Sequence, residues 1–294
     1  MAEEGEQEMD NLPQEEEGEY EEEGGGINGD INEEENLVAF EVMLTEKLGG
    51  GVPGLSVAPF ITQQIRDMEA IEMSGNNSIQ FRLTDDSVKV LVECLISNNI
   101  MVQSISLKHH RLTSEAVLHL SEYFLQSLRL IQLDLEGNDI DNKGAEMLAS
   151  WLLSEHCNLL SLNLSSNAIG EAGGSYLADA LKSNMNIERL LLHNCELNLK
   201  TVIAIVTCIA GNSNSRMSHL DIGRPLLMNS KTEELCDHMT TRMLLAPGTM
   251  IQMLDLKHCN IGDKGAALIA QSVMFNSMVK YINLERYVEF LVVI

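Results

Sequence analysis

A unit of about 28 residues recurs along the chain, and this repeat limits the fold more than any other feature of the sequence. Its clearest copy is LRLIQLDLEGNDIDNKG, in which Leu130, Leu133 and Leu135 are spaced as in a strand and a helical pattern opens near Gly144. The copies are aligned on Asn138. Positions equivalent to it are spaced 34, 28, 29, 28, 30, 34 and 28 residues apart, and they are Asn76, His110, Asn138, Asn167, Cys195, Pro225, Cys259 and Tyr287.

The helical half of the unit returns in the same register. Ala145, Leu148, Ala149 and Leu152 form an i, i+3, i+4, i+7 face, and later units repeat this face. Parallel strands joined by helices cross over in a right-handed sense, and helices are wider than the spacing between strands. The predicted fold class is therefore α/β, a right-handed βα horseshoe solenoid with a parallel sheet on the concave face and helices on the convex face.

Composition divides the chain into three segments. Residues 1–36 contain 16 acidic residues and no Lys or Arg, so we expect a disordered acidic tail. Residues 37–67 are predicted to form a helical N-terminal cap, because a repeat stack needs a cover for its open end. Residues 68–294 are predicted to form the repeat domain, with about 7–8 repeats.

The last predicted strand runs into an apolar stretch, YINLERYVEFLVVI, with no capping helix after it. We expect the repeat domain to be truncated at its C-terminus. Two alternatives stay open, because the stretch from Phe290 to Ile294 also fits a cover for the last repeat or a strand that pairs with another chain.

The net charge and the spacing of the cysteines indicate which class of partner the chain binds and in which cellular compartment it works. The formal net charge is −25, and the 16 acids of the tail leave −9 on the rest of the chain. Direct nucleic-acid binding needs clustered Lys and Arg, so a basic protein partner is favoured instead. The chain has no signal peptide, no apolar run of roughly 18 residues, and six cysteines without a C-x-x-C pair. We expect a cytoplasmic or nuclear protein that is neither secreted nor bound to a membrane.

Side chains between the strand leucines point into the concave surface. Plain solvation of a sheet also produces a polar face, and this interpretation stays open. The residues predicted to contact a protein partner are Glu72, Lys108, Asp134, Glu136, Asn163, Arg189, His193, Asp221, Asp255, Lys257 and Tyr281. The residues predicted to hold the turns after the strands, the amides through backbone hydrogen bonds and the cysteines as buried, inert thiols, are Asn76, Asn138, Asn167, Cys195 and Cys259.

No enzyme, cofactor or metal site is predicted. Gly49, Gly51 and Gly54 spell G-x-G-x-x-G, but they follow a helical pattern, contain Pro53 and begin no βαβ unit. Pairs such as His258 with Cys259 resemble metal ligands by residue type only, and their position in the repeat explains them. The sequence contains no P-loop, no G-x-S-x-G and no H-E-x-x-H.

The stretches DLEGNDIDNKGAEMLASWL and NLSSNAIGEAGGSYLADALKSN resemble leucine-rich repeats of the ribonuclease-inhibitor type, over about residues 68–287. This resemblance implies a leucine-rich repeat solenoid with a non-enzymatic, intracellular interaction role. IERLLLHNCELNLKTVIAIVTCIAGNSN and GRPLLMNSKTEEL resemble one member of this family more closely. That likeness implies a nuclear or nucleolar location and a link to germ or stem cell differentiation.

Three functions are compatible with these features. The leading hypothesis is a protein-interaction scaffold whose concave face binds a partner, with the acidic tail raising the association rate for basic proteins. The alternative is a regulator of a small GTPase, because GTPase activators of the nuclear transport system resemble this repeat class and carry an acidic tail after the repeats. A third hypothesis is a ligand-sensing fragment of a larger receptor.

Overall fold

The structure, a computed structural model, describes residues 69–75, 82–97, 99, 101–226, 233–245 and 248–285, and the backbone of 291–293. The predicted acidic tail at 1–36, the predicted cap at 37–67 and the predicted turn residue Asn76 lie outside the described residues.

Strands and helices alternate along the chain. The strands are β1 (Ala70–Ser74), β2 (Ser104–Lys108), β3 (Gln132–Asp134), β4 (Ser161–Asn163), β5 (Arg189–Leu191), β6 (His219–Asp221), β7 (Met253–Asp255), β8 (Tyr281–Asn283) and β9 (Leu291–Val293). The α-helices are α1 (Asp85–Ser97), α2 (Ser114–Phe124), α3 (Asn142–Leu152), α4 (Gly170–Leu181), α5 (Leu199–Gly211), α6 (Glu233–His238) and α7 (Asp263–Val273).

The strands form one sheet in the order of the sequence. Strands β1 to β8 are parallel neighbours, and the register aligns the central leucine of each unit with the next, as Leu133 with Leu162 and Leu162 with Leu190. The helices lie on the convex side of this open sheet. The predicted fold class is confirmed.

At the far end of the sheet, β9 pairs with β8 in the antiparallel sense. The terminal apolar stretch thus adds a strand to the chain's own last repeat, and this corresponds to the alternative of a cover for that repeat. The prediction of a truncated repeat domain stays a prediction.

The core lies between the sheet and the helices. The central strand residues Leu133, Leu162 and Leu190 are at most 1% exposed. Neighbouring helices approach closely because small residues face each other: a Cβ at Gly174 in α4 would lie 2.3 Å from the Thr201 methyl group of α5. Small residues on the helices therefore let neighbouring repeats stack closely.

Side chains cap the starts of α2, α3 and α5. Thr113 accepts a hydrogen bond from the N–H of Glu115, and Asp141 accepts one from the N–H of Lys143. Ser114 of α2 also donates to Asp141 at 2.6 Å, and this bond is the main reason that the pKa of Asp141 lies below its usual value. The Asp141 cap therefore ties α3 to α2 as well as to its own backbone.

The sixth unit contains a π-helix directly after its α-helix. The short helix α6 continues as a π-helix over Met239–Leu244, and the N–H of Leu245 bonds to the carbonyl of Thr240. A π turn takes in one more residue than an α turn, so it accommodates the longer unit while Met239, Met243 and Leu244 stay buried.

Every described strand from β2 to β7 is followed by a residue with a left-handed backbone, one position before the aligned Asn138 site. A positive φ favours glycine, yet only one of these residues is glycine. They are His109, Gly137, Ser166, Asn194, Arg224 and His258. The turn geometry is thus a property of the repeat that residue types alone do not reveal.

Candidate protein-binding face

The register of the sheet arranges the concave side chains in three rows. The central row is Glu72, Ser106, Asp134, Asn163, Leu191, Asp221, Asp255 and Asn283. A flanking row starts each strand and includes Ser104, Gln132, Ser161, Arg189, His219, Met253 and Tyr281. The other flanking row lies at the end of β2 and just past the ends of the later strands, and it contains Lys108, Glu136, Ser165, His193, Lys257 and Glu285. All eleven residues predicted to contact a partner lie in these rows.

The Asp and Asn side chains of the central row also hold the backbone. Each accepts a hydrogen bond from the N–H two residues further along, as in an Asx turn. The bonds join Asp134 to Glu136 at 3.1 Å, Asn163 to Ser165 at 3.0 Å, Asp221 to Gly223 at 2.9 Å, Asp255 to Lys257 at 2.8 Å and Asn283 to Glu285 at 3.0 Å. Asp and Asn are therefore equivalent as acceptors in this turn, and they differ in charge and in the second side-chain atom, which accepts in Asp255 and donates in Asn163.

The charged side chains on β2 to β4 are engaged with one another. Lys108 Nζ lies 3.1 Å from Asp134 Oδ2, and this bond raises the pKa of Lys108. Asn163 donates its amide to Glu136 Oε2 at 3.0 Å. Asp134 and Glu136, which in the sequence look free for a partner, thus already have neighbours of their own chain, whereas Glu72 in β1 is exposed.

A second group lies on β5 to β8, where two carboxylates stand side by side. Asp221 and Asp255 are direct register partners on adjacent strands. Burial and then the charge of Asp221 are among the causes that raise the pKa of Asp255. Asn283 donates to the second oxygen of Asp255 at 2.9 Å, so this carboxylate is held in place on both sides.

His193 faces the same carboxylates. Its Nδ1 lies 3.6 Å from Asp221 Oδ1, and the interaction with Asp221 raises the pKa of His193. The ring fits there because the next unit has Gly223, where a Cβ would lie 2.5 Å from Nδ1. Lys257 forms its ion pair with Glu285 of the next unit, with its Nζ 2.8 Å from Glu285 Oε2.

In the flanking row that starts each strand, the residue types change at β5. On β2 to β4 it consists of Ser104, Gln132 and Ser161, whereas β5 to β8 contribute Arg189, His219, Met253 and Tyr281. Arg189 is exposed and Met253 is 38% exposed. We call the set Arg189, His193, Asp221, Asp255, Lys257 and Tyr281 the β5–β8 patch; it contains six of the eleven predicted contact residues.

The residues predicted to hold the turns lie in a buried ladder beneath this face. Asn138 and Asn167 each donate to a carbonyl of the preceding unit, Asn138 to Leu107 and Asn167 to Leu135, and each also donates within its own turn. Asn138 is 4% exposed, and its Oδ1 accepts the N–H groups of His110 and Leu112. In the Asn138 position of later units, Cys195 donates to the carbonyl of Leu164.

Burial determines the chemistry of the other ladder residues. It raises the pKa of Cys195 to about 12 and raises the pKa of Cys259 further, so both thiols stay protonated near neutral pH. His110 accepts the N–H of Leu83 and contacts the carbonyl of Met73, and burial lowers its pKa to about 4.

A second asparagine ladder was not predicted. It lies 17 residues after the Asn138 position, where the helices end, and consists of Asn184, Asn212 and Asn276. Asn184 donates to the carbonyl of Leu152 at 2.6 Å, and Asn276 donates to that of Leu244 at 2.6 Å. Part of the signal was present in the segments SNMNI and FNSMV, where an asparagine stands three residues before a buried apolar residue.

No three His, Cys, Asp or Glu side chains in the described part of the chain are grouped as a metal site requires. Among the same residues, no helix combines the length and the apolar character needed to cross a membrane. The geometry on the concave side is that of an open surface made from many short strands.

The alternating units, the parallel sheet and the asparagine ladder define a leucine-rich repeat solenoid. Residues 127–149, 155–178 and 249–270 match the family model described as Leucine Rich repeat. Each matched segment contains a strand and the start of the following helix, so the matches fall on the structural unit itself.

Known proteins with similar sequences carry repeats of this class. The chain is 26% identical over 228 residues to NACHT, LRR and PYD domains-containing protein 14 of Mus musculus, covering 68% of the chain and 22% of that protein. It is 26% identical over 223 residues to Protein CARMIL of Dictyostelium discoideum, covering 71% and 20%. A shorter match to human NACHT, LRR and PYD domains-containing protein 13 reaches 34% over 116 residues, covering 40% and 11%. The chain therefore spans about a fifth of the length of the first two relatives.

Proposed function

We propose that the chain is a non-enzymatic scaffold that binds a protein through the concave face of its repeats, with the β5–β8 patch as the centre of the contact. The proposal rests on the change of residue types at β5 in the flanking row that starts each strand. Arg, Tyr and Met are enriched at the centres of protein interfaces, whereas serine contributes little binding energy. The concave rows place these residues on β5 to β8 and serines on β2 to β4.

The charge of the concave face favours a basic partner segment. Its acidic side chains are Glu72, Asp134, Glu136, Asp221, Asp255 and Glu285, and its basic ones are Lys108, Arg189 and Lys257. Asp221 and Asp255 are only partly buried, and a Lys or Arg from a partner placed between them relieves their mutual repulsion. The intracellular repeat proteins that the chain resembles support a protein partner and do not specify which one.

The test exploits the equivalence of Asp and Asn in the central row. The double variant Asp221→Asn with Asp255→Asn removes two charges and keeps the acceptors for the N–H groups of Gly223 and Lys257, as Asn163 and Asn283 do in their units. A matched control, Asp139→Asn with Glu196→Gln, removes two exposed charges from the edge of the solenoid. The control is expected to keep the stability of the unmodified chain. The concave variant gives up the hydrogen bond from Asn283 to the second oxygen of Asp255, so urea unfolding of both variants accompanies the binding test.

The whole chain and both variants are used for affinity capture, and the captured proteins are quantified by mass spectrometry. A concave-face partner is a protein whose recovery falls about tenfold or more with the concave variant and is unchanged with the control, which corresponds to about 1.4 kcal/mol of binding energy. An identical set for all three chains contradicts the proposal. Capture of a small GTPase whose hydrolysis of GTP accelerates in the presence of the chain favours the alternative, regulation of a GTPase.

The sixth unit supports a proposal about location. Its Arg224 and Pro225, at the Asn138 position, resemble the corresponding unit of leucine-rich repeat-containing protein 34. On this resemblance we place the protein in the cytoplasm and the nucleus, including the nucleolus, with a role in germ or stem cell differentiation. Fluorescence of the tagged full chain in such cells tests this, and exclusion of the signal from the nucleus contradicts it.

A further inference from the structure

The two edges of the solenoid differ in exposed apolar surface. We call the edge where helices end and strands begin the helix-to-strand edge; it consists of 125–131, 153–160, 182–188, 212–218, 248–252 and 274–280. Most of the exposed large apolar side chains in the described part of the chain lie there. The most exposed are Leu125, Leu128, Leu153, Met185, Met274 and Phe275, with values from 55% to 83%. Exposed large apolar side chains gathered on one edge are typical of a contact site.

The same edge is basic in an otherwise acidic chain. It carries Arg129, Lys182, Arg216 and Lys280 against Glu155 and Glu188. The opposite edge carries more acidic than basic residues, among them Asp139, Asp141, Glu171 and Glu196. A segment that is both acidic and partly apolar therefore fits the helix-to-strand edge better than the concave face or the opposite edge.

The basic side chains are available to such a segment. Arg216 pairs with Glu188 at 2.9 Å, but its side chain remains 61% exposed. Lys182 pairs with Asp179 in the same way, also with 61% exposure. Surface pairs of this type contribute little to stability, so exchanging one carboxylate for another costs little.

We propose that residues 1–36 of the chain itself bind along the helix-to-strand edge. These residues supply 16 carboxylates and no Lys or Arg, with Leu12, Tyr20, Ile27 and Ile31 interspersed as apolar contacts. An anionic membrane is a poor occupant, because a chain with a net charge of −25 is repelled by it. The chain's own acidic segment is the occupant whose charge and apolar content both match.

The position at which the chain enters the fold supports residues 1–36 as the segment that binds this edge. Residue Glu69 leads into β1 at the start of that strand, and strand starts lie on the helix-to-strand edge. Residues 37–68 thus join the acidic segment to the fold on the correct side. Eight strands spaced about 4.8 Å apart span about 35 Å, which about a dozen extended residues cover. Because the segment is tethered, its effective concentration is on the order of millimolar, and a weak contact suffices to populate the bound form.

The experiment places the photo-crosslinker p-benzoylphenylalanine in the full chain instead of Leu128. A second version carries it instead of Leu153, and the control carries it instead of Leu226, an exposed leucine on the opposite edge. After irradiation, mass spectrometry identifies the crosslinked peptides. We expect crosslinks from positions 128 and 153 to residues 1–36. Their yield should be at least about fivefold higher than the yield of crosslinks from position 226 to the same residues.

Two perturbations test the electrostatic cause. In 0.5 M NaCl the screening length falls to about 4 Å, and the links to residues 1–36 should fall several-fold. The charge reversal Arg129→Glu, Arg216→Glu and Lys280→Glu should do the same, whereas Arg111→Glu, Lys143→Glu and Arg224→Glu on the opposite edge should not. The salt experiment uses unreversed charges, so it remains decisive if the reversal variant folds poorly.

The result that overturns the proposal is a yield of links to residues 1–36 that is absent or equal at both edges. Mixing isotopically labelled and unlabelled chains before irradiation distinguishes a second source of the same segment. Crosslinked peptides that pair a labelled with an unlabelled chain show that the segment comes from a second copy, and this also contradicts binding within one chain.

Discussion

Replacing Asn138 by alanine is expected to destabilise the solenoid more than any single change on its concave surface. The side chain is 4% exposed and forms four close hydrogen bonds to the backbone. It donates to the carbonyls of Leu107 at 2.8 Å and Leu135 at 2.9 Å, and accepts the N–H groups of His110 and Leu112 at 3.1 Å each. Alanine leaves two donors and two acceptors of the backbone buried without this partner.

Each such bond contributes about 1 kcal/mol net, so Asn138→Ala should lower the free energy of unfolding by about 4 kcal/mol. That is a large part of the 5–15 kcal/mol typical of a domain. The variant Asn138→Cys is the matched control, because the Cys195 thiol at the Asn138 position of a later unit donates at 3.0 Å to a carbonyl. It keeps a donor and loses the acceptor, and should cost about half as much.

Urea unfolding followed by tryptophan fluorescence measures both variants. Trp151 is the chain's single tryptophan, and its ring stacks on Phe124 with centroids 4.0 Å apart in the helix layer. It lies in α3, directly after the turn that Asn138 holds, so it reports on the altered repeat. A loss below about 1 kcal/mol for alanine, or an equal loss for cysteine and alanine, would refute the reasoning.

Three further changes test other parts of the repeat. Ser127→Asn, which places an asparagine where the buried Ser127 hydroxyl has no partner among the described residues, should raise the free energy of unfolding by about 1 kcal/mol in the same urea assay. Gly137→Ala, at φ +68°, should cost about 1–2 kcal/mol, whereas Gly211→Ala, in open space, should change it little. His110 has its pKa lowered to about 4 from 6.5, so the unfolded chain binds the extra proton between these values and stability should fall by about 3 kcal/mol as the pH drops from 6.5 to 4. A urea midpoint that is as pH-dependent in His110→Asn as in the unmodified chain would contradict this assignment.

The fold was predictable because two periods coincide in one unit. Leu130, Leu133 and Leu135 indicate a strand and Ala145, Leu148 and Ala149 a helix face, and their repeated register leaves one right-handed arrangement. The three concave rows follow from the same alternation, since the side of each strand residue is set by its distance from a buried leucine.

What the sequence does not show is which concave residues are already bonded within the chain. Asp134 and Asp221 look equally free in the sequence, but Lys108 reaches the first and His193 the second only because parallel register brings neighbouring units together. The π-helix at Met239–Leu244 was missed for a related reason. Its residues keep a helical apolar pattern, and only the unit's extra length signals the wider turn.

The turns after the strands separate structural from binding roles on the concave face. In the central row one carboxylate oxygen of Asp221 and of Asp255 accepts a backbone N–H, a task that Asn163 performs equally well in its own unit. The negative charge is therefore not needed for the turn. Asp255 also accepts a hydrogen bond from Asn283 with its other oxygen, and Asp221 faces His193, so the two carboxylates have partners inside the chain besides the turn. Exchanging Asp for Asn at these two positions therefore tests the proposed contact once the variant is shown to keep its stability, whereas any change at Asn138 affects folding first.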